Sequence, residues 1–336
     1  MSETEPQAER SVLDGFAERV SGQGTRLVFP EGEDERVLRA AAALHDRGLA
    51  LPTVLGDADA IHATAEAEGI ALSGVEVIDP TTAANREGYA AAYGEIRGVS
   101  METALKIVGN ELFFGGLAVR TGDADGLVGG CVRTSGELIA AGKEVIGLKP
   151  DVSVPSSFFV MAAPDGGVLV FADAALNANP TAEELADIAV TTGESAATLL
   201  GWESRVAMLS FSTKGSADHP DVTKVRQATE IARDRTDNGY VDGELQADAA
   251  LNPEIAARKL DDIGPVSGRA NTLVFPDLDA GNIGYKLTQE LAGASAYGPV
   301  LQGFAAPISD LSRGASVDDI VGAATITAAL AVGDQA

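Results

Sequence analysis

Short apolar runs alternate with segments of helical period along the whole chain. "TRLVFP" (25–30) reads as a strand, and "EDERVLRAAAALHDRG" follows with Val37, Ala41 and Leu44 on one helical face and Gly48 as a stop. "PTVLG" (52–56), "VEVID" (75–79) and "GLVGG" (126–130) are further strands, with a helix after the last near Thr134. The second half keeps the rhythm. "GGVLVFADAAL" (166–176) is a buried strand, and a long helix follows. Thr181 and Glu184 form its capping box, and Leu185, Ile188, Ala189, Ala196 and Leu199 form its apolar stripe. "VAMLSFS" (206–212) and "NTLVFPDLDAGNIGYK" are strands running into loop and helix. Strand–helix alternation of this kind predicts an α/β fold with a largely parallel sheet. No repeat of solenoid period appears. The helical pattern breaks at "LKPDVSVP", which puts a domain boundary near residue 150.

Composition narrows the class. The 336 residues are 45% hydrophobic, enough for the cores of two ordinary domains. No window approaches twenty uninterrupted apolar residues, and the start, "MSETEPQAER", has no apolar leader, so a cytoplasmic protein without a membrane partner is expected. Cys131 is the only cysteine, which excludes a disulfide framework within one chain. Fifty acidic residues face twenty-four Lys and Arg, a net charge of −26, and only seven of the basic residues are lysine. Self-repulsion of that size is screened at molar salt, where the Debye length is about 3 Å, so adaptation to a salty cytoplasm is the reading. Nucleic acid is excluded as a partner because phosphate binding needs a basic face.

The common chemical signatures are missing. There is no GxxxxGK[ST], no GxGxxG after a strand and no GxSxG. His45, His62 and His219 lie far apart without metal spacing, so no metal is expected. Cys131 reads as a buried thiol after a glycine pair rather than a nucleophile.

Three loops remain, each after an apolar strand and before a helix, where ligands bind in open α/β sheets. In "SFSTKGSADHP" (210–220), Ser212 and Lys214 beside Gly215 suggest an anion site, against the plainer reading of a polar loop that caps the next helix. In "FPDLDAGNIGYK" (275–286), Asn282 and Lys286 flank glycines that let backbone approach a ligand, while Asp277 and Asp279 serve equally well as caps. In "DLSRGASVDDI" (310–320), Ser316 and Asp319 fit a capping box, but Ser312 and Arg313 precede it. Arg313 meets the positive end of the helix dipole there and would sit better beside a bound anion.

At these residues the chain resembles the phosphate acetyltransferase family. The likeness covers most of residues 25–330. It is clearest in "FPEGEDERVLRAA", "VLVFADAALNANPTAEELADIA", "AMLSFSTKGSADHPDVTKVRQAT" and "VFPDLDAGNIGYKLTQELAGASAYGPVLQGFAAPISDLSRGASVDDIV". The resemblance implies acetyl-CoA + phosphate ⇌ acetyl phosphate + CoA, with coenzyme A as substrate and no tightly bound cofactor. It implies two α/β/α domains around a cleft, similar to isocitrate and isopropylmalate dehydrogenases, and commonly a homodimer. The domains would be 1–150 with 305–336, and 151–304. Ser312, Arg313 and Asp319 match the family's catalytic S-R-G-x-S-x-x-D motif, and Arg97 its substrate-binding arginine. The chain departs at Ala315 and Ala174, where many relatives carry cysteine, and at Ile139, where many carry an arginine whose charge Arg133 would supply from another position.

The chemistry makes a demand. The resemblance makes Asp319 the base; a thiol has a pKa of roughly 8.5, and an aspartate's ordinary value of about 3.9 matches it poorly, so burial or a nearby anion must raise Asp319, or its main role is to orient the thiol. Arg97, Lys214, Lys286 and Arg313 would make a local positive cleft on an acidic surface. Competing readings are transfer of a larger acyl group such as butyryl, a decarboxylating dehydrogenase, and a non-catalytic regulatory or binding module.

Overall fold

A computed structural model describes residues 12–236 and 240–333; residues 1–11, where no apolar leader was read, lie outside them. Eleven strands are present among the described residues: β1 (Arg26–Phe29), β2 (Leu51–Leu55), β3 (Glu76–Ile78), β4 (Gly126–Gly129), β5 (Ser156–Ala162), β6 (Val168–Ala172), β7 (Val206–Leu209), β8 (Val241–Leu245), β9 (Thr272–Val274), β10 (Ser295–Gln302) and β11 (Ile308–Asp310). They form one continuous sheet in the order β3-β2-β1-β4-β11-β10-β5-β6-β9-β7-β8. Both wings are parallel, as the strand–helix alternation predicts. The middle is antiparallel, with β10 pairing β11 on one side and β5 on the other, and β5 pairing β6. The sequence reading missed β5, β8, β10 and β11.

Helices cover both faces. Those at Glu35–Asp46 and Ala182–Leu200 bury apolar stripes, the second behind the Thr181–Glu184 capping box. Helix Val317–Gly333 is different. It is buried on nearly every side, from Ile320 to Ala331, and packs on helices Val12–Val20, Glu35–Asp46 and Ala182–Leu200 and on β4. Full burial of a large apolar side chain stabilises by about 1.5–3 kcal/mol, and this helix buries Ile320, Val321, Ile326 and Leu330. Its polar residues are satisfied: Thr327 Oγ1 is 2.7 Å from Ser309 Oγ in β11, and Thr325 donates to the Val321 carbonyl at 2.7 Å. The loop between β11 and this helix is therefore held rigidly at both ends.

β1, β4 and β11 are neighbours and run parallel, so their carboxyl ends converge. That convergence places Glu31, residues 130–133 and residues 310–319 side by side.

Candidate active site

The loop after β11 is shaped by local hydrogen bonds. The Leu311 amide continues the sheet onto the Gly129 carbonyl at 2.7 Å, and the Gly314 amide donates to Ser312 Oγ at 3.2 Å. The capping box forms. Asp319 Oδ2 accepts from the Ser316 amide (2.9 Å) and hydroxyl (2.8 Å), and Ser316 Oγ accepts from the Asp319 amide (3.2 Å). Arg36 pins the loop from helix Glu35–Asp46, donating to the carbonyls of Arg313 (2.8 Å) and Ala315 (3.0 Å) while pairing with Asp34 at 2.7 Å. Ser312, Arg313 and Asp319 are exposed, and no ion pair of the Arg313 guanidinium occurs among the described residues.

This loop forms one wall of a cleft of about 540 Å³, with Asp310, Ser312, Asp318 and Asp319 along it. Phe159, Tyr285, Gln289 and Tyr297 form the facing wall, from β5, β10 and helix Leu278–Ala292. Tyr285 stacks on Phe159 with centroids 4.2 Å apart, and the Lys286 ammonium lies 4.9 Å from the Tyr285 ring. Lys286 is thus next to the cleft. Asn282 donates to the Ala174 carbonyl at 3.1 Å, which fixes the first turn of that helix. Gly281 permits the approach: a Cβ there would come within 2.1 Å of the Asp173 carbonyl oxygen. A second cavity of about 340 Å³, lined by Glu194, Trp202, Arg235 and Tyr240, shares no residue with the cleft.

Two of the four cations expected to make the cleft positive, Arg97 and Lys214, have internal carboxylate partners, as does Arg133. Arg97 ends helix Arg86–Arg97 and lies 3.6 Å from Glu144. Lys214 bonds to the Asp242 carboxylate and donates to the Gly243 carbonyl at 2.8 Å. Arg133 pairs with Glu111 at 2.8 Å and lines a separate pocket beside Glu31 and Val132. Each has been drawn to a carboxylate that sequence proximity does not reveal. The anion site expected at Ser212 is likewise filled from inside. Buried Ser212 donates to Glu244 Oε1 at 2.9 Å, and the Gly215 amide donates to the same oxygen at 2.7 Å.

Glu31 repeats the device at β4. Its carboxylate accepts from four consecutive amides, Gly130 (3.0 Å), Cys131 (2.8 Å), Val132 (2.9 Å) and Arg133 (2.6 Å). Cys131 is buried beside it. Burial first, and the Glu31 charge second, push the thiol pKa up to about 12, so Cys131 is no thiolate nucleophile. No group of three or more His, Cys, Asp or Glu that could hold a metal occurs among the described residues. Sequence reading also passed over Asp310, Tyr285, Tyr297 and Arg36. Asp310 carried a signal, as a lone carboxylate closing the apolar run "APISD".

Comparison with known proteins places this geometry. A family model described as phosphate acetyl/butaryl transferase matches residues 11–328. A phosphate acetyltransferase of Thermoanaerobacterium thermosaccharolyticum is 45% identical over 95% of this chain and 98% of its own. One of Clostridium acetobutylicum is 46% identical over 90% and 93%. Among solved structures, a phosphotransacetylase from Streptococcus pyogenes superposes with a TM-score of 0.91 at 43% identity, covering 97% of this chain and 99% of that one. A family match over nearly the whole length, and relatives this similar across it, lead to one conclusion: the chain belongs to the phosphate acetyl/butaryl transferase family and is an acyltransferase.

Proposed function

We propose that the cleft between the β11 loop and helix Leu278–Ala292 interconverts acetyl-CoA plus phosphate with acetyl phosphate plus CoA. The single observation that carries this is the juxtaposition, across the β11 loop and the first turn of the helix after it, of an exposed serine, an arginine with no ion-pair partner among the described residues and an aspartate, with the serine and the aspartate lining that cleft. Both substrates bind together and the acetyl group passes directly, so binding supplies much of the rate by orientation. Arg313 contacts the phosphoryl group in bidentate fashion and neutralises charge as the acetyl C–O bond forms or breaks. Ser312 donates to the carbonyl oxygen or to the thiolate. Asp319, with Oδ2 engaged by Ser316, orients the thiol. Lys286 lies close enough to the facing wall to attract an anionic substrate, and Asn282 steadies that wall. Arg97, Arg133, Ser212 and Lys214 have internal partners here, which argues against direct substrate contact.

In this reading, residues 1–150 with 305–336, and 151–304, act as two α/β/α domains of isocitrate dehydrogenase-like type, with the cleft between them. The enzyme is cytoplasmic, salt-adapted and free of a tightly bound cofactor; among the described residues no helix is long and apolar enough to cross a membrane. It is a homodimer. Ile283, Leu287 and Leu291, spaced by four on helix Leu278–Ala292, are 55%, 53% and 81% exposed and make an apolar stripe suited to a second copy. A sedimentation mass of one chain would reject the dimer.

The test of function is phosphate-dependent thiol release from acetyl-CoA, repeated with butyryl-CoA. Faster turnover of butyryl-CoA would reject acetyl as the preferred group, and no release from either would reject the activity.

A further inference from the structure

The turn that carries Ser312 and Arg313 is held from two directions. Locally, the Ala315 amide donates to the Ser312 carbonyl at 2.9 Å and the Gly314 amide donates to Ser312 Oγ at 3.2 Å, which puts Arg313 and Gly314 at the tip of a β-turn. The Leu311 amide donates to the Gly129 carbonyl at 2.7 Å, so Ser312 stands next to a residue of the sheet. None of these bonds involves the Arg313 carbonyl or side chain. The Arg313 guanidinium has no ion-pair partner among the described residues, so its reach follows from where its backbone stands.

That backbone is gripped from outside by Arg36. All five N–H donors of the Arg36 guanidinium are engaged. Nε donates to Asp34 Oδ1 at 3.0 Å. One terminal nitrogen donates to Asp34 Oδ2 at 2.7 Å and to the Cys131 carbonyl at 3.2 Å. The other donates to the carbonyls of Arg313 at 2.8 Å and Ala315 at 3.0 Å. Two of these anchors are fixed independently. Asp34 caps helix Glu35–Asp46, and the loop of Cys131 is held by the four amides that donate to Glu31. The fork therefore carries the positions of the β1 and β4 ends over to the tip of the turn after β11.

We infer that Arg36 is a positioning residue for acyl transfer: it sets the tip of the turn so that Arg313 meets the phosphoryl group, an inference that rests on the acetyl-transfer reading above. A bidentate contact requires direction as well as distance. A misplacement of about 1 Å can cost about 10²-fold in rate. With every donor committed, Arg36 offers none to a substrate, and it is not among the residues that line the cleft. Lysine cannot take its place. An ammonium keeps the charge but is a single point, and it cannot span a carboxylate and the carbonyls of two loops in one plane.

Positioning differs from plain stabilisation in what it depends on. If Arg36 served the fold alone, weakening it would lower the melting temperature and would slow turnover by the same factor with or without the Arg313 side chain. If it acts through Arg313, the loss of turnover is felt only while that side chain is present, because residues that work as one unit are not additive.

The experiment is a double-mutant cycle on the full chain. Arg36→Lys, Arg313→Ala and the double variant are assayed for phosphate-dependent thiol release, each below its own melting temperature. Arg36→Lys should lower turnover by about 10–10² and leave the KM for CoA within about threefold. In the Arg313→Ala background the same change should cost less than about threefold. Turnover of Arg36→Lys within about threefold of the parent overturns the inference. So does an equal loss in both backgrounds, which makes Arg36 a residue of the fold alone. If Arg36→Lys does not fold, Asp34→Asn replaces it, since it keeps an oxygen for the helix cap and loosens the grip on Arg36. A turnover loss above about threefold that vanishes in Arg313→Ala supports the inference, and an indifferent or additive Asp34→Asn overturns it. A parent with no phosphate-dependent thiol release defeats the acetyl-transfer reading, and this inference with it. An active parent with additive losses defeats this inference alone.

Discussion

Two strand-end loops look alike as text and differ as structure. Residues 210–217 and 310–319 each follow a buried strand and offer hydroxyls, a glycine and one cation. Around Ser212 and Lys214, the chain's own Glu244 and Asp242 occupy the donors. Around Ser312 and Arg313, no internal carboxylate takes the donors among the described residues, and Ser312 lines a cleft that Phe159, Tyr285 and Tyr297 also line. A hydroxyl-and-cation loop is thus an anion site only when no internal carboxylate has reached it first. In the proposed function the distinction separates a loop that stabilises the fold from one that performs chemistry, and substitutions can set the two against each other.

The largest effect should come from Arg313→Ala. Loss of a donor aimed at developing charge costs roughly 10²–10³ in turnover, and the melting temperature should hold because the guanidinium has no ion-pair partner among the described residues. A turnover loss below tenfold would place Arg313 with the structural loop. Asp319→Asn comes next. It keeps an oxygen to accept from Ser316, so stability should change by less than about 1 kcal/mol, while loss of thiol orientation lowers turnover by about 10–10². Its counterpart Ser316→Ala should cost about 0.5–2 kcal/mol in denaturant melts and leave most of the activity. Equal activity losses in the two variants would merge cap and catalysis into one role.

Ser212→Ala sharpens the contrast from the other side. It leaves a buried Glu244 short of a donor, for a stability loss of about 1–3 kcal/mol with turnover within about threefold. A raised KM for either substrate without loss of stability would restore Ser212 as a binding residue. The smallest effect, spread over the surface, is that of salt. With a net charge of −26, the melting temperature should fall as potassium chloride is reduced from molar to about 0.1 M. A flat or rising melting temperature removes the reading of salt adaptation.

The wings of the sheet were legible because their strands are short apolar runs punctuated by capped helices. The edge strand β8 and the antiparallel centre were not. β8, "VDGEL", hides two buried acids held by Lys214, Arg233 and Ser212, and Lys214 and Ser212 stand well before it in the sequence. β10, "SAYGPVLQ", carries Gly298 and Pro299 where its pairing with β5 shifts register, and β11 is only three residues long. Neither offers a clean period of two. The site divides the same way. Ser312, Arg313 and Asp319 lie within one motif and could be read together. Arg97 and Lys214 have carboxylate partners, Glu144 and Asp242, that stand far from them in the sequence and could not be read beside them.

The place of β11 also shapes how the molecule is made. It lies between β4 and β10, yet it follows β4 by nearly the whole of the second wing in the chain. While synthesis proceeds, β4 and then β10 present open edges, and such edges invite pairing with other chains. Insertion of β11 seals both at once, and the same event pulls helix Val317–Gly333 into its slot and sets Asp310, Ser312 and Arg313 in place. Activity should therefore emerge in a single late step during refolding, coincident with the loss of exposed sheet edges, because closure of the sheet and assembly of the site are the same contact.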